Sequence, residues 1–394
     1  MLNRRILRVK AFQSLYAYRQ CKFSNYNLAQ DYIREAFLPD LNTMESQDKP
    51  QLKKDAERCI HLFSKYIHEE DLVDSEAEMG KIKDTAVKGV DLYHRYNRKD
   101  QDFLRKNMVS AVENIPELYL YAINILLGFG DHVRNEQQRK RILKNQQIIP
   151  AQGTYNLASN KILEIIRANH SFKKECTKFK VDLGELELEI KEWFRDWVRN
   201  NEDYQRYIQI GAPDLDQDKE ILQFITKKVI FKSEGILSFF QDKDLNWYEN
   251  KSIVRSLALK VLKSIDGMES EEALILPDLA INWEEDKEFF QNIFNLTIDS
   301  DREFDGLIAN KTKNWDIERI ALTDKVIMTM ALTEMVNFPS IPVKVTINEY
   351  IDISKTYSTP KSKQFVNGLL DALSKELTES GEIRKSGRGL IDNK

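Results

Sequence analysis

The chain has 394 residues, 42% hydrophobic and 31% charged, with a net charge of −4; this balance excludes a wholly disordered chain and leaves room for two or three globular domains. Three cysteines, Cys21, Cys59 and Cys176, are odd in number and widely spaced, which argues against a disulfide framework or a metal site and fits a reducing cytoplasm. The longest apolar run, Leu118 to Gly130, is shorter than the about 20 residues of a bilayer span, so no membrane partner is expected.

Only 14 glycines and 9 prolines punctuate the chain, so helices are expected to dominate and the fold class is all-α. Residues 1–23 form a first, basic helix. Leu7, Ala11, Leu15 and Tyr18 fall on one side of a helical wheel, and Arg4, Arg5, Arg8 and Arg19 take the adjacent sector with Phe12 among them. Residues 1–22 hold no acid, which is a local footprint for phosphate whatever the global charge. Guanidinium groups match phosphate as a fork, and Phe12 and Tyr16 offer a stacking plane unless they turn into the core.

Helical patterns at 55–95, 100–147 and 155–210 place an inserted helical region over 24–215. A basic run, Arg134 to Lys144, precedes a break at Pro150 and Gly153. Residues 216–267 read as a degenerate helical hairpin, a possible repeat of 284–335. At a spacing of 68 residues, Asp218, Gln223, Asn246 and Trp247 recur as Asp286, Gln291, Asn314 and Trp315, with further identities between. A C-terminal helical domain follows over 284–378. Within it Thr346 and Glu349 suggest a capping box, and Thr359 with Pro360 a second helix start. Residues 379–394 read as a flexible basic tail.

Catalytic chemistry has no visible seat. The five histidines show no close pair with a third ligand, so no metal is expected. Gly128 to Gly130 (GFG) lacks the third glycine of a dinucleotide loop, and no phosphate-binding P-loop is present, so no cofactor is expected. Acid runs such as Glu185 to Glu192 read as solvated helix faces. Phe365 follows Lys361 and Lys363 at a helix start, where a phosphate and a stacked base are favoured; the same residue also fits a core with Val366 and Leu369.

The segment NWDIERIALTDKVIMTMALTEMVNFPSIPVKVTINEYIDISKTYSTPKSKQFVNGLLDAL, Asn314 to Leu373, joins a Trp-led acidic helix, a Pro-x-x-Pro loop at Pro339 to Pro342, I-N-E at Ile347 to Glu349 and F-V-N-G at Phe365 to Gly368. In that order the parts resemble the C-terminal half of the NusB family of transcription antitermination factors. RRILRVKAFQSLYAY, Arg4 to Tyr18, resembles the family's first helix. The resemblance implies NusB-like helical bundles, here with an additional inserted helical region. It implies a cytoplasmic, non-catalytic factor that binds single-stranded boxA-type RNA with the ribosomal protein NusE, acts indirectly on the RNA polymerase elongation complex, and supports ribosomal RNA transcription. RNA-binding residues would be Arg4, Arg5, Arg8, Tyr16, Lys361, Lys363 and Phe365, and Glu318 and Asp324 would meet NusE. Two other readings remain open: a NusB-like module working with a separate rRNA methyltransferase, and a structural helical adaptor without RNA binding.

Overall fold

The structure, a computed structural model, describes residues 2–42, 46–67, 80–142, 153–265, 274–312 and 320–391. Among the described residues there are no strands. The α-helices are α1 (Arg4–Ala36), α2 (Lys49–Tyr66), α3 (Lys81–Glu113), α4 (Ile115–Ile142), α5 (Lys161–Ala168), α6 (His170–Lys178), α7 (Glu187–Trp193) and α8 (Glu202–Tyr207). They continue as α9 (Leu215–Phe224), α10 (Glu234–Lys243), α11 (Trp247–Ser264), α12 (Trp283–Asp299), α13 (Asp301–Lys311), α14 (Leu322–Asn337), α15 (Val343–Tyr357) and α16 (Ser362–Glu379). The chain belongs to the all-α class.

The chain divides into two compact units, Met1–Ile6 with Ser110–Asp286 and Leu7–Val109 with Lys287–Lys394. The first helix does not stop near residue 23. Ala29, Ile33 and Phe37, at its end, share a core with Cys59, Leu62 and Phe63 of α2, which keeps residues 24–109 with the C-terminal unit.

The first unit is built around α4. From Leu118 to Gly130 every residue but Asn124 and Gly128 is buried, the pattern of a core helix apolar on all sides. Among the described residues no helix is long and apolar enough to cross a membrane. The GFG of this run serves packing: a Cβ on Gly128 would lie 2.9 Å from the Ile190 side chain, and one on Gly130 2.7 Å from Leu163. Asn160 and Asn169 cap α5 and α6, and Asp214 with Gln217 forms a capping box on α9. Trp247 opens α11 and stacks on Phe240, centroids 4.5 Å apart. Its expected twin, Trp315, lies outside the described residues.

The second unit is built around α14, buried at every position from Val326 to Met335. Thr329 and Thr333 satisfy their hydroxyls by donating to carbonyls one turn back, at 2.9 and 2.8 Å. Two expected helix starts are corrected. The I-N-E helix begins at Val343 after Pro342, so Thr346 is interior and donates to Glu334 instead of capping. The next helix begins at Ser362, whose N–H is accepted by the Thr359 carbonyl at 3.0 Å.

The segment expected as a flexible tail is also docked. Ser386 N–H donates to the Pro339 carbonyl and Lys385 Nζ to the Phe338 carbonyl, both at 3.0 Å, and Ile383 is buried. A Cβ on Gly389 would come within 2.0 Å of the Pro339 oxygen, so the contact requires glycine.

Candidate nucleic-acid interface

Arg4 and Arg5 open α1 and belong to the first unit. Arg5 is exposed, while Arg4 is half-buried. Arg4 Nε lies 3.2 Å from Asp286, and its guanidinium also pairs with Glu285, both acids in the first turn of α12.

Arg8, one turn on, departs from the expected cationic face. It is 4% exposed, and its Nε and one terminal nitrogen reach the two oxygens of Glu334 at 2.7 and 2.8 Å. Burial, the largest single influence, works against the guanidinium charge, but Glu334 together with Tyr350 and Glu349 outweighs it and raises the pKa. Glu334 is itself fully buried and also accepts from Thr346 at 2.8 Å and Tyr350 at 3.2 Å. Burial, more than Glu334, pushes the Tyr350 phenol well above its ordinary range, so it stays a donor. A bidentate pair with two further donors meets the conditions under which an interior ion pair is tolerated. Arg8 is thereby an anchor of α1, not a side chain available to RNA.

Tyr16 is partly exposed. Phe12 beside it is buried, its ring centroid 6.4 Å from Tyr16 and 5.2 Å from Tyr357 at the end of α15. The stacking plane expected of both rings is therefore reduced to Tyr16. Gln13 Nε2 donates to the Tyr357 hydroxyl at 3.4 Å.

From Tyr357 the chain turns through a cluster of hydroxyls. Ser358 donates to Ser362 at 2.9 Å and lies 3.2 Å from Thr323; Thr359 lies 2.8 Å from Ser362, which donates to Asp324 at 2.7 Å. This cluster fixes the first turn of α16, where Lys361 and Lys363 are exposed and Phe365 is partly buried. Val366, Leu369 and Leu370 take the inner face, which leaves Phe365 on the flank of the helix. Tyr16 and the Phe365 turn are thus joined within one unit.

Asp324 was expected on a partner surface; it is 4% exposed beneath the α15–α16 turn. Its second oxygen, Oδ1, is buried with no hydrogen-bond partner among the described residues. Glu318 lies outside the described residues. Among the described residues no group of acids, histidines or cysteines is arranged to hold a metal.

The sequence reading missed Glu334 and Tyr350, and took Thr346 for a helix cap. The available signal was an acid set within the apolar run from Val326 to Met335, which a buried helix admits only with a partner.

Both units are helical bundles around a helix with a long buried stretch, and the second joins Leu7–Val109 to the C-terminal segment of the chain. Residues 252–375 match the NusB family. The transcription antitermination protein NusB of Chloroherpeton thalassium is 38% identical over 143 residues, covering 35% of this chain and 68% of the relative. That of Salinibacter ruber is 42% identical over 105 residues, covering 27% and 66%. That of Syntrophotalea carbinolica is 34% identical over 143 residues, covering 31% and 89%. No solved structure matches. The chain belongs to the NusB family, and it carries a large additional helical region.

Proposed function

We propose that this chain is a non-catalytic, RNA-binding transcription antitermination factor that acts with NusE on boxA-type nascent RNA and supports ribosomal RNA transcription. Its family membership, with relatives named as transcription antitermination proteins, carries the reading. Within the second unit, the exposed Lys361 and Lys363 and the neighbouring Phe365 in the first turn of α16, together with Tyr16, which is linked to Tyr357 through Phe12, supply charge and stacking surface for a single strand. Arg4 and Arg5, at the start of α1 in the first unit, are proposed as further RNA contacts in their own right. Arg8 contributes by holding α1 in place. Asp324 contributes to the NusE surface through the turn it fixes.

The test is a titration of the full chain with a ribosomal leader RNA, with and without NusE. Binding that weakens with salt and tightens when NusE is added is the expected result. Absence of RNA binding in both mixtures would overturn the reading.

A further inference from the structure

A cavity of about 620 Å³ opens in the second unit between α1, α3 and the junction of α12 and α13, and none of the residues proposed above for RNA or NusE lines it. Its size lies within the roughly 300–1,000 Å³ of small-molecule sites. Helical spacing sets its walls. Tyr93 and Asn97 stand one turn apart on α3, as do His94 and Arg98, so two adjacent rows line it. Lys22 comes from α1 and Arg302 from the first turn of α13.

The charges at this cavity are unevenly satisfied. Arg19 meets Asp305 at 3.0 Å and also pairs with Asp301, and Lys22 meets Asp301 at 3.3 Å. Arg98 and Arg302 are exposed at the rim and make no hydrogen bond or ion pair among the described residues; Asp299 is an acid of the same wall in the same position. Two arginines against one acid leave room for an anion.

A polar group in the wall is also left over. Asn97 is 7% exposed, and its Oδ1 accepts from Asn25 Nδ2 at 3.0 Å, which itself also donates to Asp100 at 2.7 Å. That bond fixes which way the Asn97 amide faces and leaves its NH2 group without an acceptor among the described residues. Beside it, the rings of Tyr93 and His94 lie 5.4 Å apart at 60°. Burial, then the charge of Arg98, lower the His94 pKa, with Asp91 opposing and Lys22 adding to the fall, which favours the uncharged ring.

We propose that this cleft binds a nucleoside phosphate, with the phosphate between Arg98 and Arg302, the Asn97 amide donating to the base or ribose, and the base against Tyr93 and His94. Two sources share that chemistry: a free nucleotide, and one nucleotide of an RNA strand. The inference stands apart from the boxA reading, because none of these residues belongs to the proposed RNA surface.

The test is binding of AMP to the full chain, followed by titration calorimetry and ligand-observed NMR, with inorganic phosphate as competitor. Saturable AMP binding displaced by phosphate is expected. Arg98→Gln and Arg302→Gln, both at exposed positions, should each weaken AMP about tenfold, as loss of one charge-assisted hydrogen bond does. Adding a single-stranded oligoribonucleotide separates the sources: displacement of AMP places a strand nucleotide in the cleft, and retention of AMP beside bound oligonucleotide makes it a free-nucleotide site. No saturable binding at millimolar AMP, or equal affinity in wild type and both variants, would overturn the proposal.

Discussion

Arg8 and Glu334, 326 residues apart in the chain, form a two-point ion pair in the interior of one helical unit, at 2.7 and 2.8 Å. The pair fastens the first helix to the buried stretch of α14, and Thr346 and Tyr350 complete the carboxylate's hydrogen bonds. It ties the N-terminal part of this unit, Leu7–Val109, to its C-terminal part, Lys287–Lys394.

Removing one partner leaves the other buried without its main counter-charge: Arg8 would keep only Glu349 at 3.8 Å, and Glu334 only the hydroxyls of Thr346 and Tyr350. Arg8→Ala and Glu334→Ala should each destabilise the second unit by about 3–5 kcal/mol, and the double variant by clearly less than the sum. Urea unfolding of the three variants measures this. Stability of Arg8→Ala within about 0.5 kcal/mol of wild type, as at a surface position, would contradict the buried pair.

Arg5, Lys361 and Lys363 behave oppositely, because all three are exposed. Their replacement by Ala should leave unfolding unchanged and weaken RNA binding. Each lost phosphate contact should reduce the log-log salt slope by about 0.7 for a single strand. A slope that stays at the wild-type value in all three variants places the RNA elsewhere.

The all-α class and the two apolar helices were legible in the sequence, since Leu118 to Gly130 and Val326 to Met335 are apolar beyond what one helix face needs. The burial of Arg8 was not. A helical wheel sees one helix, and the acid that neutralises Arg8 belongs to another. The docking of the last residues was equally hidden, because glycine and basic composition reads as mobile, while the contact depends on Ile383 and on backbone bonds to Pro339. The hydroxyl cluster around Ser362 was half visible: Thr359 was marked as a helix start, but its link to Asp324 requires the fold.

Two glycines separate packing from backbone freedom. Gly130 faces Leu163 at 2.7 Å from where a Cβ would stand, so Gly130→Ala should destabilise the first unit by about 1–3 kcal/mol through overpacking. Gly306 lies inside α13 with nothing within 4 Å of a Cβ, and Gly306→Ala should stabilise by about 0.5–1 kcal/mol. Thermal melts of both variants decide. Equal shifts of the same sign would contradict the difference in packing.

Lys385 links the docked C-terminal segment to pH. Burial lowers its pKa from 10.5 to about 8, with Glu334 opposing. Because the folded value lies below the unfolded one, the unfolded chain binds more protons between about pH 8 and 10.5, and this residue's contribution to stability rises across that window. Lys385→Met should remove the rise. Urea midpoints of wild type and variant, compared from pH 7.5 to 10.5, test it, and parallel curves would show that Lys385 does not titrate there.

Asp324 is the last residue whose role the structure changes. Its Oδ2 holds the Ser362 hydroxyl at 2.7 Å, Ser362 in turn meets Ser358 and Thr359, and the carboxylate is 4% exposed. Ser362→Ala removes a donor from a buried carboxylate that already has one oxygen unsatisfied, and should cost about 1–3 kcal/mol. Asp324→Asn keeps an acceptor for Ser362 and should cost less. Asp324→Lys buries a cation beside donors and should cost more than about 3 kcal/mol, far above the about 0.5 kcal/mol of a surface change. If NusE reads the turn, Ser362→Ala should weaken assembly with NusE and RNA although it carries no charge change, and Asp324→Asn should weaken it less. Melting curves beside calorimetry with NusE and RNA resolve the two effects. An Asp324→Lys variant that melts like wild type yet fails to assemble would put the carboxylate itself on the partner surface.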